Sequence, residues 1–543
     1  MQRFLLVCGI ILFICLSACK NPEPLHGGNT VFRYNESKGI SSLDPSFARN
    51  QTIIWPVSQL FNGLVQLDDS LKLRPSIAKY WEVSQDGKEY IFFLRSDVLF
   101  HRSQFLPDDR KVIASDFVYS FNRILDPAVA SPGSWIFEYL AADNPLVAVN
   151  DTVLKIVLEK AFPPFLSILA MPYCSVVPRE AVENPAADFS HHPVGTGPFM
   201  FRHWSQDEKL VLLKNPDYFE KDEAGNRYPY MDAVSITFVK DKQSEFLEFL
   251  KGNLDFLSGV HPAYKDELLT RSGTLNPQYH GKIKLITLPY LNTEYLGILM
   301  QGEEATEPLL DKNIRKAINY GFDREKMMKY MRNNLGYPAT AGIIPPGLAG
   351  HLVASDGYTY DPDKARELLE KYSSGSDELL PPIKLTTTSD YLDLCEFIQF
   401  ELGKIGISIE IEVATGGAFR NMVANGNLAF FRGSWIADYA DAENYLAMFY
   451  SENHTPAGPN YTRFTSAEFD SLYELAIQEE NDSLRYRYYR MMDRIIVEEA
   501  PVVPLYYDMV VRFARENIRG FNPNPMNNLV LKTVRKDKPD REF

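Results

Sequence analysis

The twelve residues RGSWIADYADAE, Arg432 to Glu443, bring together one cation, two aromatic rings and three carboxylates. Side chains of these types can hold a metal, move a proton, open a solvated helix, or grip a cationic group of a ligand through a charge-assisted hydrogen bond. Other chemistry is thinly represented. The sequence contains no G-x-S-x-G elbow, no H-E-x-x-H, no G-x-x-x-x-G-K-[ST] phosphate loop and no paired C-x-x-C, so the usual nucleophile, zinc and nucleotide signatures are missing. The adjacent pair His191 and His192 reads as surface histidine, because neighbours in an extended chain point to opposite faces. Gly195-Thr196-Gly197 lacks a third glycine and runs into Pro198, which makes it a turn.

The cluster has to be positioned by the elements before it. IKLTTT from Ile383 reads as a strand. Tyr391 to Ile405 carries Leu394, Ile398, Leu402 and Ile405 on one helical face, Gly406 stops it, and ISIEIEV alternates strictly over 407 to 413. A strand, a helix and a strand with short connections form a crossover, which predicts a parallel sheet. The apolar run NLAFFRG, 427 to 433, is a further strand. Asp438 then falls in the loop leaving the C-terminal end of a strand, where open α/β sheets bind ligands. Elsewhere, Ser115-Asp116 is expected to cap a helix with Phe117, Phe121, Ile124 and Leu125 on one face. Asp361-Pro362 and Asp323 should open two more helices. The runs 89–95, 151–158, 209–215 and 233–240 read as strands, and the chain is mixed α/β throughout.

The start of the chain speaks to location. Arg3 precedes an apolar run from Phe4 to Leu16, which is too short for a span of about 20 apolar residues, and Leu-Ser-Ala-Cys closes it at Cys19. This is a signal peptide over 1–18 whose ending resembles the bacterial lipobox, with Cys19 as the lipid-attachment residue and 19–29 as a tether. The mature protein is then expected outside the cytoplasm, anchored to a membrane through its lipid. The net charge of −15 argues against nucleic acid as partner, since that needs a positive surface. Beyond Cys19 the mature chain has only Cys174 and Cys395, expected to be buried and free.

A series of short stretches resembles one family in its order along the chain. They are SSLDPSF (41–47), LFNGLVQLD (60–68), SIAKYWEVSQDGKEYIFFLRSDVLFH (76–101), SDFVYSFNRILDPAVASP (115–132), VGTGPFMFRHW (194–204), NIRKAINYGFDREKM (313–327), the tryptophan cluster, and PVVPLYY (501–507). Together they resemble the family 5 extracellular solute-binding proteins of ABC importers, a group with oligopeptide-, dipeptide- and nickel-binding members. The resemblance implies an α/β, two-lobed periplasmic-binding-protein clamshell with mixed sheets and an extra subdomain in lobe one. Its implied parts are lobe I over 30–58, the subdomain over 59–188, lobe I again over 189–285, lobe II over 286–505, and a return to lobe I over 506–543. It implies a monomeric binder of short peptides that docks on an ABC permease, without catalysis, cofactor or metal.

In peptide-binding members the aspartate of a W-x-x-D motif pairs with the ligand's α-amino group, and Trp435-Ile-Ala-Asp438 matches that motif. The alternative for Asp438 is a solvated residue or a cap on the next helix. Arg432 stands where the oligopeptide-binding relative carries an arginine able to face a peptide carboxylate; the alternative is a structural ion pair. Trp435 and Tyr439 are implied to line side-chain pockets, or else belong to the core. Asp441 and Glu443 suit the first turn of a helix. The chain departs from the family at Ala442, often a proline, and at Arg49, where an acid can stand. A nickel- or haem-type binder of the same family and an exported hydrolase are the other function classes.

Overall fold

The computed structural model describes residues 30–259, 261, 264–373 and 380–537; Cys19, the signal peptide and the tether lie outside these described residues. No helix among them is long and apolar enough to cross a membrane.

The crossover forms as its periodicity dictates. Strands Ile383–Thr387 and Ile409–Val413 pair in parallel with Ile383 opposite Ile409, joined by the helix Leu392–Gly403. Leu394, Ile398 and Leu402 pack with Leu385, Ile407 and Ile409 in one buried cluster. Gly406 takes φ +92°, a left-handed turn that glycine adopts without steric cost. The next strand, Phe430–Ile436, begins three residues later than NLAFFRG and runs three further. It lies parallel to Ile383–Thr387 and antiparallel to Ile283–Ile298. Arg432 and Trp435 are therefore strand residues, and Asp438 stands in the loop just past the strand end.

Two long antiparallel strands, Ile283–Ile298 and Val502–Arg515, run through the centre of the seven-stranded sheet. Their register is interrupted between Pro289 and Thr293 and again between Glu294 and Tyr295. Proline lacks the N–H that a ladder needs, so a break beside Pro289 follows from the sequence. One end of this ribbon pairs with Phe256–Ser258 and the other with Phe430–Ile436. The hydrophobic core divides in the same way. One cluster collects residues from Phe32 to Phe238 together with Phe521 to Val534. Two others collect residues between Leu291 and Tyr506. The fold is a two-lobed clamshell.

Two further sheets lie in the N-terminal part of the chain. The sheet made by Val31–Asn35, Ala233–Thr237, Lys209–Lys214 and Phe199–Ser205 mixes one parallel pair with two antiparallel ones. A separate antiparallel sheet joins Ala78–Val83, Glu89–Leu94, Val153–Val157 and Leu146–Asn150. Asp323 and Asp361 accept hydrogen bonds from the Lys326 and Lys364 amides at 2.9 Å, capping their helices as expected.

The Ser115-Asp116 cap is corrected. The helix is Ala114–Leu125 with Ile113 at its N-cap, and Asp116, inside the first turn, reaches back to accept the Ile113 amide at 2.9 Å while Arg110 grips it at 2.7 and 3.0 Å. Phe117, Phe121 and Ile124 are buried, but Leu125 is exposed. The Gly195–Gly197 turn lies against the end of helix Gln51–Leu60, where the Gly197 amide donates to the Leu60 carbonyl at 2.9 Å. A Cβ on Gly195 would sit 2.0 Å from that carbonyl oxygen, so close backbone approach is what requires glycine here. Cys174 and Cys395 are buried and free.

Candidate functional site

Helix Gln51–Leu60 starts at Asn50, whose side chain accepts the Ile53 amide at 3.2 Å. Its first turn faces a cavity of about 450 Å³ whose opposite wall is Ile436 to Tyr439, from the end of strand Phe430–Ile436. Trp135 and Tyr173 close it from the sheet-and-helix region beyond the first lobe's sheet, and Tyr290 from the ribbon between the lobes. A 730 Å³ cavity shares Asn50, Gln51 and Trp55 with it, and a 340 Å³ cavity shares Gln51, Tyr290 and Asn527. All three cavities thus meet at Gln51. The central one is singled out by chemistry rather than size, because its two charged groups, Arg49 and Asp438, come one from each lobe and form no ion pair among the described residues, whereas Lys265, Arg332 and Asp508 of the 340 Å³ cavity are all paired.

Asp438 is open to this cavity while protein surrounds it on the other sides, and burial raises its carboxyl pKa above the usual carboxylate range. Among the described residues it forms no ion pair. Its loop is held by Asn444, whose side-chain oxygen accepts both the Asp438 amide at 3.1 Å and the Trp435 indole N–H at 3.0 Å. Trp435 is half-buried and meets Tyr461 edge-on at 6.4 Å. It does not line the cavity; it braces the turn that presents Asp438.

Tyr439 presents its ring to the cavity and packs 6.1 Å from Trp135. Its hydroxyl donates to Glu443, as does that of Tyr473. Although it follows a second-lobe strand, Tyr439 is buried among first-lobe residues, so it bridges the lobes. Asp441 accepts the Glu443 amide at 2.9 Å, a helix-start contact. Glu443 does open the short helix Glu443–Leu446, yet it is buried beneath Tyr439 rather than exposed.

Arg432 does not line the cavity. It is ion-paired with Glu294, with side chains only 11% and 4% exposed. Its guanidinium lies 3.2 Å from the Tyr391 ring centroid. Glu294 also accepts from Ser434 at 2.9 Å and Asn292 at 3.1 Å. Sequence reading missed Glu294 and Asn444. A glutamate within the apolar run of strand Ile283–Ile298 was the available signal, because a charge at a two-sided core position needs a partner.

His191 pairs with Asp188 at 3.1 Å and stacks on Trp204 at 4.8 Å. No group of three or more potential metal ligands occurs among the described residues.

Two fully buried carboxyls have a measurable consequence. Burial pushes Glu443 up to about 7, against the hydrogen bonds from Tyr439 and Tyr473 that lower it. It also pushes Asp493 up to about 7, against the Ile343 and Ile344 amides. Both groups keep a proton in the folded state at pH values where the unfolded chain has lost it. Folding stability should therefore fall as pH rises from about 4 to about 7, offset in part by His101, whose buried ring is held down to about 4 and stabilises the fold increasingly over the same window. Urea midpoints at pH 5 and pH 7.5 check this, with the lower midpoint expected at pH 7.5 and a flatter dependence in Glu443→Gln. Equal midpoints in the wild type would contradict it.

Two lobes with a cavity between them are the architecture of solute-binding proteins. The chain belongs to the bacterial extracellular solute-binding proteins, family 5, whose middle-region model matches residues 72–457. It is 26% identical over 534 residues to the dipeptide-binding protein DppE of Bacillus subtilis, covering 94% of this chain and 92% of that one. It is also 26% identical over 523 residues to heme-binding protein A of Haemophilus influenzae, covering 93% and 92%. Among solved structures, DppA from Helicobacter pylori in complex with the peptide STSA superposes with a TM-score of 0.75 at 24% identity, over 94% of this chain and 99% of that one.

Proposed function

We propose that this protein captures short peptides between its lobes, holding the free α-amino group at Asp438, and delivers them to the permease of an ABC importer. The observation that carries the reading is the Asp438 carboxylate, open to the interlobe cavity and without an ion-pair partner among the described residues. Burial makes that charge costly alone, and an arriving ammonium offsets the cost through a charge-assisted hydrogen bond. Asn444 and Trp435 fix the loop, so little ordering accompanies binding. The similarity to a dipeptide-binding protein agrees with this ligand class. A haem or nickel ligand is the competing reading, supported by the similarity to heme-binding protein A. The opposite charges of Asp438 and Arg49 suit the two ends of a zwitterion, while apolar residues such as Trp55, Trp135, Met171 and Met526, which make up most of the lining, suit its side chains.

The division of the core supports lobe boundaries near 286 and 505, on the two long strands, and the separate four-stranded sheet within 59–188 supports a subdomain of lobe I there. The mature protein begins at a lipid-modified Cys19 on the outer side of a bacterial membrane and works as a monomer without cofactor. Calorimetric titration with matched free and N-acetylated di- and tripeptide pools tests the amine anchor. Heat of binding from the free pool alone is expected, and equal binding of both pools would overturn it.

A further inference from the structure

Arg49 and Asp438 are the only charged residues lining the central cavity among the described residues. Their signs are opposite, they come from different lobes, and neither forms an ion pair, with the other or with any described residue. The Tyr173 hydroxyl lies within the field of both, Asp438 raising its pKa and Arg49 lowering it, behind the larger effect of burial.

Arg49 also stands on a firm base. The preceding turn, Pro45–Phe47, is held by buried Asp44, which accepts the Ser46 amide at 3.0 Å and pairs with Arg123 at 2.5 and 3.0 Å. Ser131 donates to the Ser46 carbonyl at 2.6 Å. The Arg49 amide itself donates to the Phe47 carbonyl at 2.8 Å, and Asn50 then caps the helix. The backbone is thus fixed while the guanidinium is left free at the cavity. The arginine that the family resemblance offered for a carboxylate, Arg432, is neutralised by Glu294 and lies outside this cavity.

We propose that Arg49 receives the ligand's C-terminal carboxylate while Asp438 receives its amine, so that the cleft selects short peptides free at both ends. This rests on the peptide reading above. A guanidinium fork matches a carboxylate in geometry as well as charge. Since one charge is on each lobe, a ligand carrying both counter-charges bridges the closure, and a ligand carrying one does not. The space agrees with a small ligand, the cavity being about 450 Å³ within the roughly 300–1,000 Å³ range of small-molecule sites. An extended peptide advances about 3.3–3.6 Å per residue, so each added residue carries the carboxylate further from the amine anchor. Longer peptides therefore run past Arg49 toward the neighbouring cavities at Gln51.

The test uses the soluble chain from Lys20 with three pools of di- and tripeptides: free, C-amidated and N-acetylated. Retained peptides are quantified by mass spectrometry after equilibrium dialysis. Wild type is expected to hold the free pool roughly 10- to 100-fold better than the amidated pool. Arg49→Gln should bind both alike, with Arg49→Lys recovering part of the preference. Arg49 has no side-chain partner to lose, and an unchanged melting temperature verifies that the variants are folded. If wild type binds free and amidated peptides equally, or if Arg49→Gln keeps the preference, the Arg49 assignment is overturned while the peptide reading stands. If the free pool is not retained at all, the peptide reading falls and the assignment falls with it.

Discussion

Asp438→Asn is expected to lower affinity for free-amine peptides by roughly 30-fold to several thousandfold and to leave the empty protein no less stable. Truncating one side of a desolvated charge pair costs about 2–5 kcal/mol, and each 1.4 kcal/mol is about tenfold in affinity. The stability half of the prediction has a separate cause. Burial raises the Asp438 pKa, so ionising it costs more in the folded protein than in the unfolded chain, and a neutral amide removes that cost. The Asn444 contact with the Asp438 backbone amide survives the change. Titration calorimetry and a melting curve on the same preparation read both effects. A variant that melts lower and keeps its peptides would make Asp438 a structural cap instead of an amine receptor.

The opposite pattern is expected at Arg432. Arg432→Met should destabilise the protein by about 3–5 kcal/mol, the usual consequence of leaving one member of a buried ion pair alone. Glu294, nearly fully buried, keeps only its contacts with Ser434 and Asn292, and the guanidinium's packing against Tyr391 is lost as well. Adding Glu294→Gln should recover much of the loss, giving a large coupling in a double-mutant cycle. Denaturant unfolding of the four proteins measures it. Unchanged stability in Arg432→Met, together with loss of peptides bearing a free carboxylate, would return the carboxylate role to Arg432.

What the sequence disclosed and what it withheld divide along the range of the interactions. The crossover around Leu392–Gly403 was legible because its strand and helix periods are local, and the position of Asp438 beyond a strand end followed from it. Caps at Asp323 and Asp361 were legible for the same reason. Ser115-Asp116 misled because a capping aspartate and one that reaches back from the first turn share a composition and differ only in backbone geometry. The partner of Arg432 lies 138 residues upstream, and only the fold brings strands Ile283–Ile298 and Phe430–Ile436 side by side. Trp435 and Tyr439 carry no local mark of their different duties, one bracing a turn and the other crossing to the first-lobe core. The change of lobe is marked locally only by Pro289 and Pro504, because each long strand continues through it despite the register shifts.

Native mass spectrometry of the soluble chain from Lys20, followed by denaturation and sequencing of whatever is released, tests peptide capture most directly. A spread of short peptides with free amino and carboxyl ends is the expected result. A single metal or haem complex, or an empty protein even after a peptide library is supplied, would contradict it.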